Sequence, residues 1–281
     1  MLEVVQHKVA KHLQGLHKRT HNEVVLGLLG WHSIKSNINR AKLLFVRQLI
    51  SLGNMYVIKR IFMYQVYSLM LGIEPVSGSI TADLFQVINQ YGLNEYINRY
   101  LAGGCFPGKR EWKAIVNEQI CVQQQRHWQD GLLSKNVCRY LAVQPLLKPN
   151  VLYDVIKHHK SQMQNIMILV KLLSIPDKCE PVKCSLCDKS FTDFVDHVFT
   201  RCENLNTQRN ELWDNVLNEL GVEAEVDLFR RTDEQCTRIM LGMEWPRLNL
   251  DQFEKFICIV AEKLQCMYSN NHVHQIFIGT G

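Results

Sequence analysis

Apolar residues recur at helical spacing along most of the chain. Leu2, Val5, Val9, Leu13 and Leu16 predict an amphipathic first helix. Thr20-His21-Asn22-Glu23 has the form of a capping box, with Thr20 accepting from first-turn amides and Glu23 reaching back. A short helix through Val24, Val25, Leu28 and Leu29 follows, with Gly30 as its stop. A longer helix after Trp31 carries the stripe Ile34, Ile38, Ala41, Phe45, Leu49 and Leu52. Lys35 and Lys42 fall on one flank of that stripe and Arg40 and Arg47 on the other, so the cations frame a buried face rather than form one basic stripe.

The pattern continues as helices over residues 56–71, 81–91, 94–101, 109–131 and 134–143. Residues 72–79, with Pro75 and Gly78, read as a connector. A break at residues 144–150, with Pro145 and Pro149, divides the chain into a basic helical region, 1–145, and a second helical region, 146–281. The second region resumes with helical pattern over 151–175. A cysteine-rich loop follows, then a helix through Leu205, Leu212, Trp213, Val216 and Leu220 that Gly221 ends. A last helix carries Leu250, Phe253, Phe256, Ile257, Val260 and Leu264, and residues 276–281 read as a frayed tail. No internal repeat is visible. The expected fold is mainly α: a multi-helix N-terminal region, then a helical region holding a small zinc-knuckle-like unit with a short hairpin at about residues 179–203.

Charge changes this picture in one respect. The net +5 conceals an asymmetry: residues 1–70 hold 10 Lys/Arg against 2 Asp/Glu, and residues 203–281 hold 7 against 13. A basic first quarter with Lys8, Lys11, Lys18 and Arg19 near its start is a candidate surface for RNA or DNA. A solvated helical surface, or one that docks on the acidic C-terminal region, accounts for the same charge. The first residues include Glu3 and Lys8, which is not the pattern of a signal peptide, and no run reaches the roughly 18 apolar residues that a membrane span needs. Six of the ten cysteines (Cys105, Cys121, Cys138, Cys236, Cys258 and Cys266) stand singly, which suggests buried thiols in a reducing, intracellular compartment, cytoplasm or nucleus.

One constellation carries chemistry. Cys184, Cys187, His197 and Cys202 form C-x2-C-x9-H-x4-C. A C-x2-C turn delivers two thiolates to one metal at about 2.3 Å each, and zinc takes four such soft or borderline ligands tetrahedrally. A short helix starting near Thr192 would present His197, and a loosened last turn would bring in Cys202. Phe191, Phe194 and Val198 would cover the site as a mini-core too small to stand without metal. Cys179 is an alternative thiolate. A closed four-ligand site leaves no position for water, so the expected Zn2+ is structural rather than catalytic.

Two stretches together resemble a known family. Leu2-Glu3-Val4-Val5-Gln6, Leu13-Gln14-Gly15-Leu16, Arg19-Thr20-His21-Asn22-Glu23 and Leu28-Leu29-Gly30-Trp31 resemble the region just after the reverse-transcriptase domain of non-LTR (LINE-type) retrotransposon proteins. The Cys184, Cys187, His197, Cys202 quartet resembles the zinc motif that closes those polyproteins, and the two matches bracket residues 2–202 in the family's order. His21 stands where the family commonly has proline. The resemblance implies a thumb-like helical segment and a terminal knuckle that contacts template RNA or target DNA. It does not extend to catalysis. Polymerisation needs paired aspartates to hold two divalent ions, and no Asp-Asp dipeptide occurs in the 281 residues. Pro176-Asp177 precedes the zinc motif and lacks a following acid-x-Lys pair, so it reads as a turn rather than a nuclease centre. Gly103-Gly104-Cys105-Phe106-Pro107-Gly108-Lys109 lacks the Gly-Lys-Ser/Thr ending of a phosphate loop. His158-His159 reads as an exposed helix-end pair, and Trp112, Trp128 and Trp213 as core anchors. The expectation is therefore a non-enzymatic, retrotransposon-derived accessory module that binds nucleic acid. The alternative is a zinc-stabilised protein-interaction module or a non-functional retroelement fragment. No membrane and no small-molecule substrate is implied.

Overall fold

The computed structural model describes residues 1–73, 78–135, 137–175, 181–184 and 186–269. Its helices are α1 (Leu2–Leu13), α2 (Asn22–Leu29), α3 (Ile34–Ser51), α4 (Val57–Met70), α5 (Ile80–Gln90), α6 (Asn94–Leu101), α7 (Lys109–Leu133), α8 (Cys138–Val143), α9 (Val151–His158) and α10 (Met163–Leu173). A two-stranded hairpin follows, β1 (Val182–Lys183) with β2 (Ser190–Phe191), antiparallel with Val182 opposite Phe191. Then come α11 (Phe194–Asp196), a π-helical turn (His197–Arg201), α12 (Asn206–Leu220), α13 (Val222–Phe229), α14 (Asp233–Met240) and α15 (Leu250–Ser269). The fold is mainly α, and that hairpin is the sheet among the described residues.

The chain forms two compact units. One contains Met1–Gln6 and His32–His127, the other His7–Trp31 and Trp128–Gly281. This division differs from the one expected at 145/146. Trp128, Leu132, Tyr140 and Val143 pack in the same core as Leu152 and Ile166, so the proline-containing break is a loop inside the second unit. Tertiary packing groups α2 with the later helices, which no local signal encodes: Asn150 N–H donates to the Leu28 carbonyl at 2.9 Å, and Gln144 Nε2 to that of Gly27 at 2.6 Å.

In the first unit, Leu43, Val46, Phe62, Val66, Leu84, Ile88, Ile97 and Trp112 form the core. Trp112 is an anchor as expected, with its Nε1–H on the Leu43 carbonyl at 2.8 Å. In the second, Trp128 is buried and donates from Nε1 to the Glu23 carbonyl at 2.8 Å, whereas Trp213 is half-buried against Phe229.

Several local expectations are corrected. The buried face of α3 is Ser36, Asn39, Leu43, Val46 and Leu49, while Ile38 and Phe45 are exposed. Its inward polar groups have partners, since Asn39 Nδ2 lies 3.4 Å from the Tyr91 hydroxyl. In α1, Ala10 is buried while Leu2, Val5, Val9 and Leu13 are exposed. Polar residues in α1 and in the turn after it work as hydrogen-bond bridges. Gln6 donates to the His32 carbonyl and accepts from Ile34 N–H, and Gln14 joins the Ala10 and Val25 carbonyls to the Tyr153 hydroxyl.

The capping box at Thr20 does not form. His21 is the N-cap, without a side-chain cap bond, so Thr20 lies one position too early for the reciprocal pair. Gly30 is the stop expected: its φ of 63° is left-handed, and Trp31 N–H returns to the Leu26 carbonyl. Residues 151–173 break at His159 into two helices, and α13 and α14 occupy a stretch where no helix was expected. A Thr232–Gln235 capping box starts α14. The connector around Pro75 and the tail 276–281 lie outside the described residues.

Candidate metal centre

Each ligand comes from a different local device. Cys184 follows β1, and its N–H donates to the Lys189 carbonyl at 2.8 Å while its own carbonyl accepts from Asp188 N–H at 2.9 Å. These two bonds close the C-x2-C turn. Asp188 takes a φ of 58°, the left-handed conformation that lets the chain return to β2. Asp193 caps α11, with its Oδ1 accepting from Asp196 N–H at 2.9 Å and its other oxygen held by the guanidinium of Arg139. The helix begins at Phe194, two residues later than expected, and sets His197 at its end.

The next five residues form a π turn, in which Cys202 N–H reaches back to the His197 carbonyl at 2.8 Å. This is the loosened turn that the x4 spacing predicts. A π turn is wider than an α turn, and it carries Cys202 round to the side where the histidine ring lies.

The four ligand atoms lie within 4.8 Å of one another. Cys184 Sγ is 4.0 Å from Cys202 Sγ, and Cys187 Sγ is 3.4 Å from His197 Nε2. A disulfide requires about 2.05 Å, so the first pair is not bonded. A tetrahedron with sulfur ligands at about 2.3 Å has edges of about 3.8 Å. The spacing therefore fits a single metal ion. Cys184, His197 and Cys202 are buried and Cys187 is half-buried, so the set is closed rather than a cleft.

Electrostatics favour ligation in part. Burial, aided by Arg209, Arg201 and Lys189, pushes the His197 imidazole down to about 4, so it is neutral at pH 7 with Nε2 turned to the thiols. Burial and the neighbouring Cys184 push the Cys202 thiol up to about 12. A metal must displace that proton, which couples binding to proton release. His197 Nδ1 is buried with no hydrogen-bond partner among the described residues. Phe191 stacks on the ring at 3.5 Å between centroids, and Phe194 lies tilted at 6.4 Å.

Arg209 on α12 is the residue that the motif does not reveal. Its Nη2 donates to the Cys202 carbonyl at 2.6 Å, and the side chain is buried. A C-x2-C-x9-H-x4-C pattern ends at Cys202, and a cation seven residues further on has no signature. Phe191 and Phe194 lie against the His197 ring and Val198 is buried, as expected, but they do not form a unit of their own. Cys184, Val195, Val198, Phe199 and Cys202 belong to one core with Leu212, Val216 and Ile239. The knuckle is part of the second unit's interior, not a separate mini-core. Cys179 and Pro176-Asp177 lie outside the described residues.

Of the residues that the sequence offers for nucleic acid, Lys8, Lys18 and Arg19 are exposed, and Lys11 is half-buried with its Nζ on the Lys18 carbonyl at 2.9 Å. Four of the other six cations in the first 70 residues have internal partners: Arg40 on Asn117, Lys42 on Asp83, Arg47 on the Pro107 carbonyl and Lys59 on the Leu52 carbonyl. His158 and His159 stand at the exposed end of α9 as expected, and they bracket the buried Glu254 carboxylate at 2.7 and 3.3 Å, which ties α9 to α15. Cys105, Cys121, Cys138 and Cys266 are exposed, against the expectation of buried single thiols, while Cys236 is buried. No helix among the described residues is long and apolar enough to cross a membrane.

Compared with known proteins, the chain matches no family model, no curated protein and no solved structure.

Proposed function

We propose that Cys184, Cys187, His197 and Cys202 hold one structural zinc ion in a non-enzymatic accessory module that binds RNA or DNA, of the kind its resemblance to the post-polymerase region of non-LTR retrotransposon proteins implies. Zinc is the ion that suits three thiolates and an imidazole in a closed tetrahedron. Its role is to fasten the hairpin and the π turn to the helical core. The nucleic-acid reading rests on one observation: residues 1–73 contain only two carboxylates, Glu3 and Glu23, beside Lys8, Lys11, Lys18 and Arg19. Contacts to phosphate release counterions, so affinity falls steeply with salt and shows little sequence preference. The knuckle itself contributes no stacking platform through Phe199, which is buried.

The test is a titration of labelled single-stranded RNA at two ionic strengths, beside a variant with Lys8, Lys11, Lys18 and Arg19 changed to Ser. The expected result is binding on the order of micromolar at low salt, lost in the variant. A parent that does not bind at low salt, or a variant that binds equally, overturns it. A second reading, a protein-interaction module, is favoured by the exposed apolar residues of α1, α3 and α4.

A further inference from the structure

Helix α4 is apolar on both faces. Phe62 and Val66 enter the core of the first unit, and with them Lys59, which is 8% exposed and caps the Leu52 carbonyl. The opposite arc carries Val57, Ile61, Tyr64, Tyr67 and, at the C-cap, Leu71, with Arg60 its one charge and Ser68, whose hydroxyl donates to the Tyr64 carbonyl, its one neutral polar side chain; Tyr64 is 73% and Leu71 79% exposed. A lysine buried beneath exposed tyrosine and leucine reverses the usual order of a surface helix. Helices that are hydrophobic all round are buried ones.

We propose that this outward face of α4 is the two-fold contact of a homodimer, packed antiparallel against α4 of a second copy about Tyr64. The pattern is self-complementary in that arrangement. Tyr64 meets Tyr64, Val57 meets Leu71 fourteen residues on, and Arg60 meets Tyr67. The guanidinium then lies on an aromatic ring, a favourable cation–π contact. A parallel pair would set Arg60 against Arg60.

The size fits when the contact takes in the flank of α4 and the turn before it. Aromatic side chains carry about 150–250 Å² each, so the arc together with the flanking exposed residues Met55, Tyr56 and Ile58 offers on the order of 900 Å², against about 800 Å² per partner in a stable dimer. A single-chain patch is normally about 300–600 Å². One arginine on the face is too little charge for a polyanion, which calls for several phosphate contacts. A membrane-surface helix needs a free polar face, and the other face of α4 lies in the core.

Sedimentation velocity of the full zinc-loaded chain over 1–100 µM, as an order-of-magnitude range around typical association constants, tests the dimer. The parent should sediment as a dimer. Tyr64→Arg and Tyr64→Glu should each be at least tenfold weaker in self-association, with unchanged helical circular dichroism, because Tyr64 lies outside the core. An equimolar mixture of the two variants should recover the dimer through the opposite charges at the axis. Leu71→Glu is an independent variant expected to weaken it as well. A parent monomeric at the highest concentration, folded Tyr64 variants that still dimerise, or a mixture that stays monomeric overturns the proposal.

Discussion

Arg209 donates from Nη2 to the carbonyl oxygen of Cys202 at 2.6 Å, and places a buried guanidinium beside a candidate metal ligand. Burial holds the guanidinium below its ordinary value, with Cys202 and Asp233 opposing that shift. Three thiolates around a divalent ion would leave one net negative charge, which Arg209 would neutralise inside the core. Arg209→Met should therefore weaken zinc binding about tenfold, the low end for groups that support ligands. Competition with a chromophoric chelator measures it. Equal affinity in a folded variant would show that the guanidinium serves packing alone.

Metal removal should loosen the protein without unfolding its second unit. Val195, Val198 and Phe199 share a core with Leu212, Val216 and Ile239, so the surroundings of the site keep their apolar contacts. Chelation should lower Tm by several degrees, as a loss of about 2 kcal/mol would do, and leave most helical circular dichroism in place. Complete loss of helical signal on chelation would instead make the whole unit metal-dependent. Cys187→Ser should reduce zinc content from about one equivalent to a small fraction, since a structural site needs all four ligands.

The turn at Asp188 carries strain that a substitution can expose. Its φ of 58° suits Asp far better than a β-branched residue. Asp188→Val should destabilise the folded protein by about 1–2 kcal/mol, while Asp188→Gly should match or exceed the parent. The exposed Lys183–Asp188 ion pair lost in both contributes little. Urea unfolding separates the cases; equal midpoints for Val and Gly would mean that the turn relaxes.

Asp227 gives the second unit a defined acid response. Its Oδ2 accepts from Arg231 at 2.8 Å and from Trp245 Nε1 at 2.8 Å. Arg231, then Trp245, hold its carboxyl below the usual range. A depressed native value means that the stability it supplies is fully present above about pH 3.9, the unfolded value, and fades as pH falls through the lower native one. Asp227→Asn should cost about 1 kcal/mol at pH 6, with the gap to the parent closing below pH 4. Denaturation followed by tryptophan fluorescence at pH 6, 4 and 3 tests this. A gap that stays constant with pH would assign the loss to packing.

The clustering of Cys184, Cys187, His197 and Cys202 was legible in sequence because it is local. Cys184 and Cys187 need only a turn, and the x4 step from His197 to Cys202 needs only a loosened helical turn, which the structure supplies as a π turn. Helix positions were legible for a similar reason: spacing sets where helices run, as at residues 94–101, and Gly30 stops α2 through its own backbone freedom. Which face turns inward was not. Most of the stripe expected in α1 and α3 lies outside, as Val5, Val9, Ile38 and Phe45 do, although Leu49 is buried, while Asn39 and, just after α1, Gln14 lie inside. Periodicity names the two faces of a helix but not the neighbours that will satisfy a buried amide, and Tyr153 and Tyr91 are far away in the chain. The grouping of residues 7–31 with those beyond 128, and the arrival of Arg209 at Cys202, rest on the same cause. They are long-range hydrogen bonds and packing contacts, whose partners only the folded chain brings together.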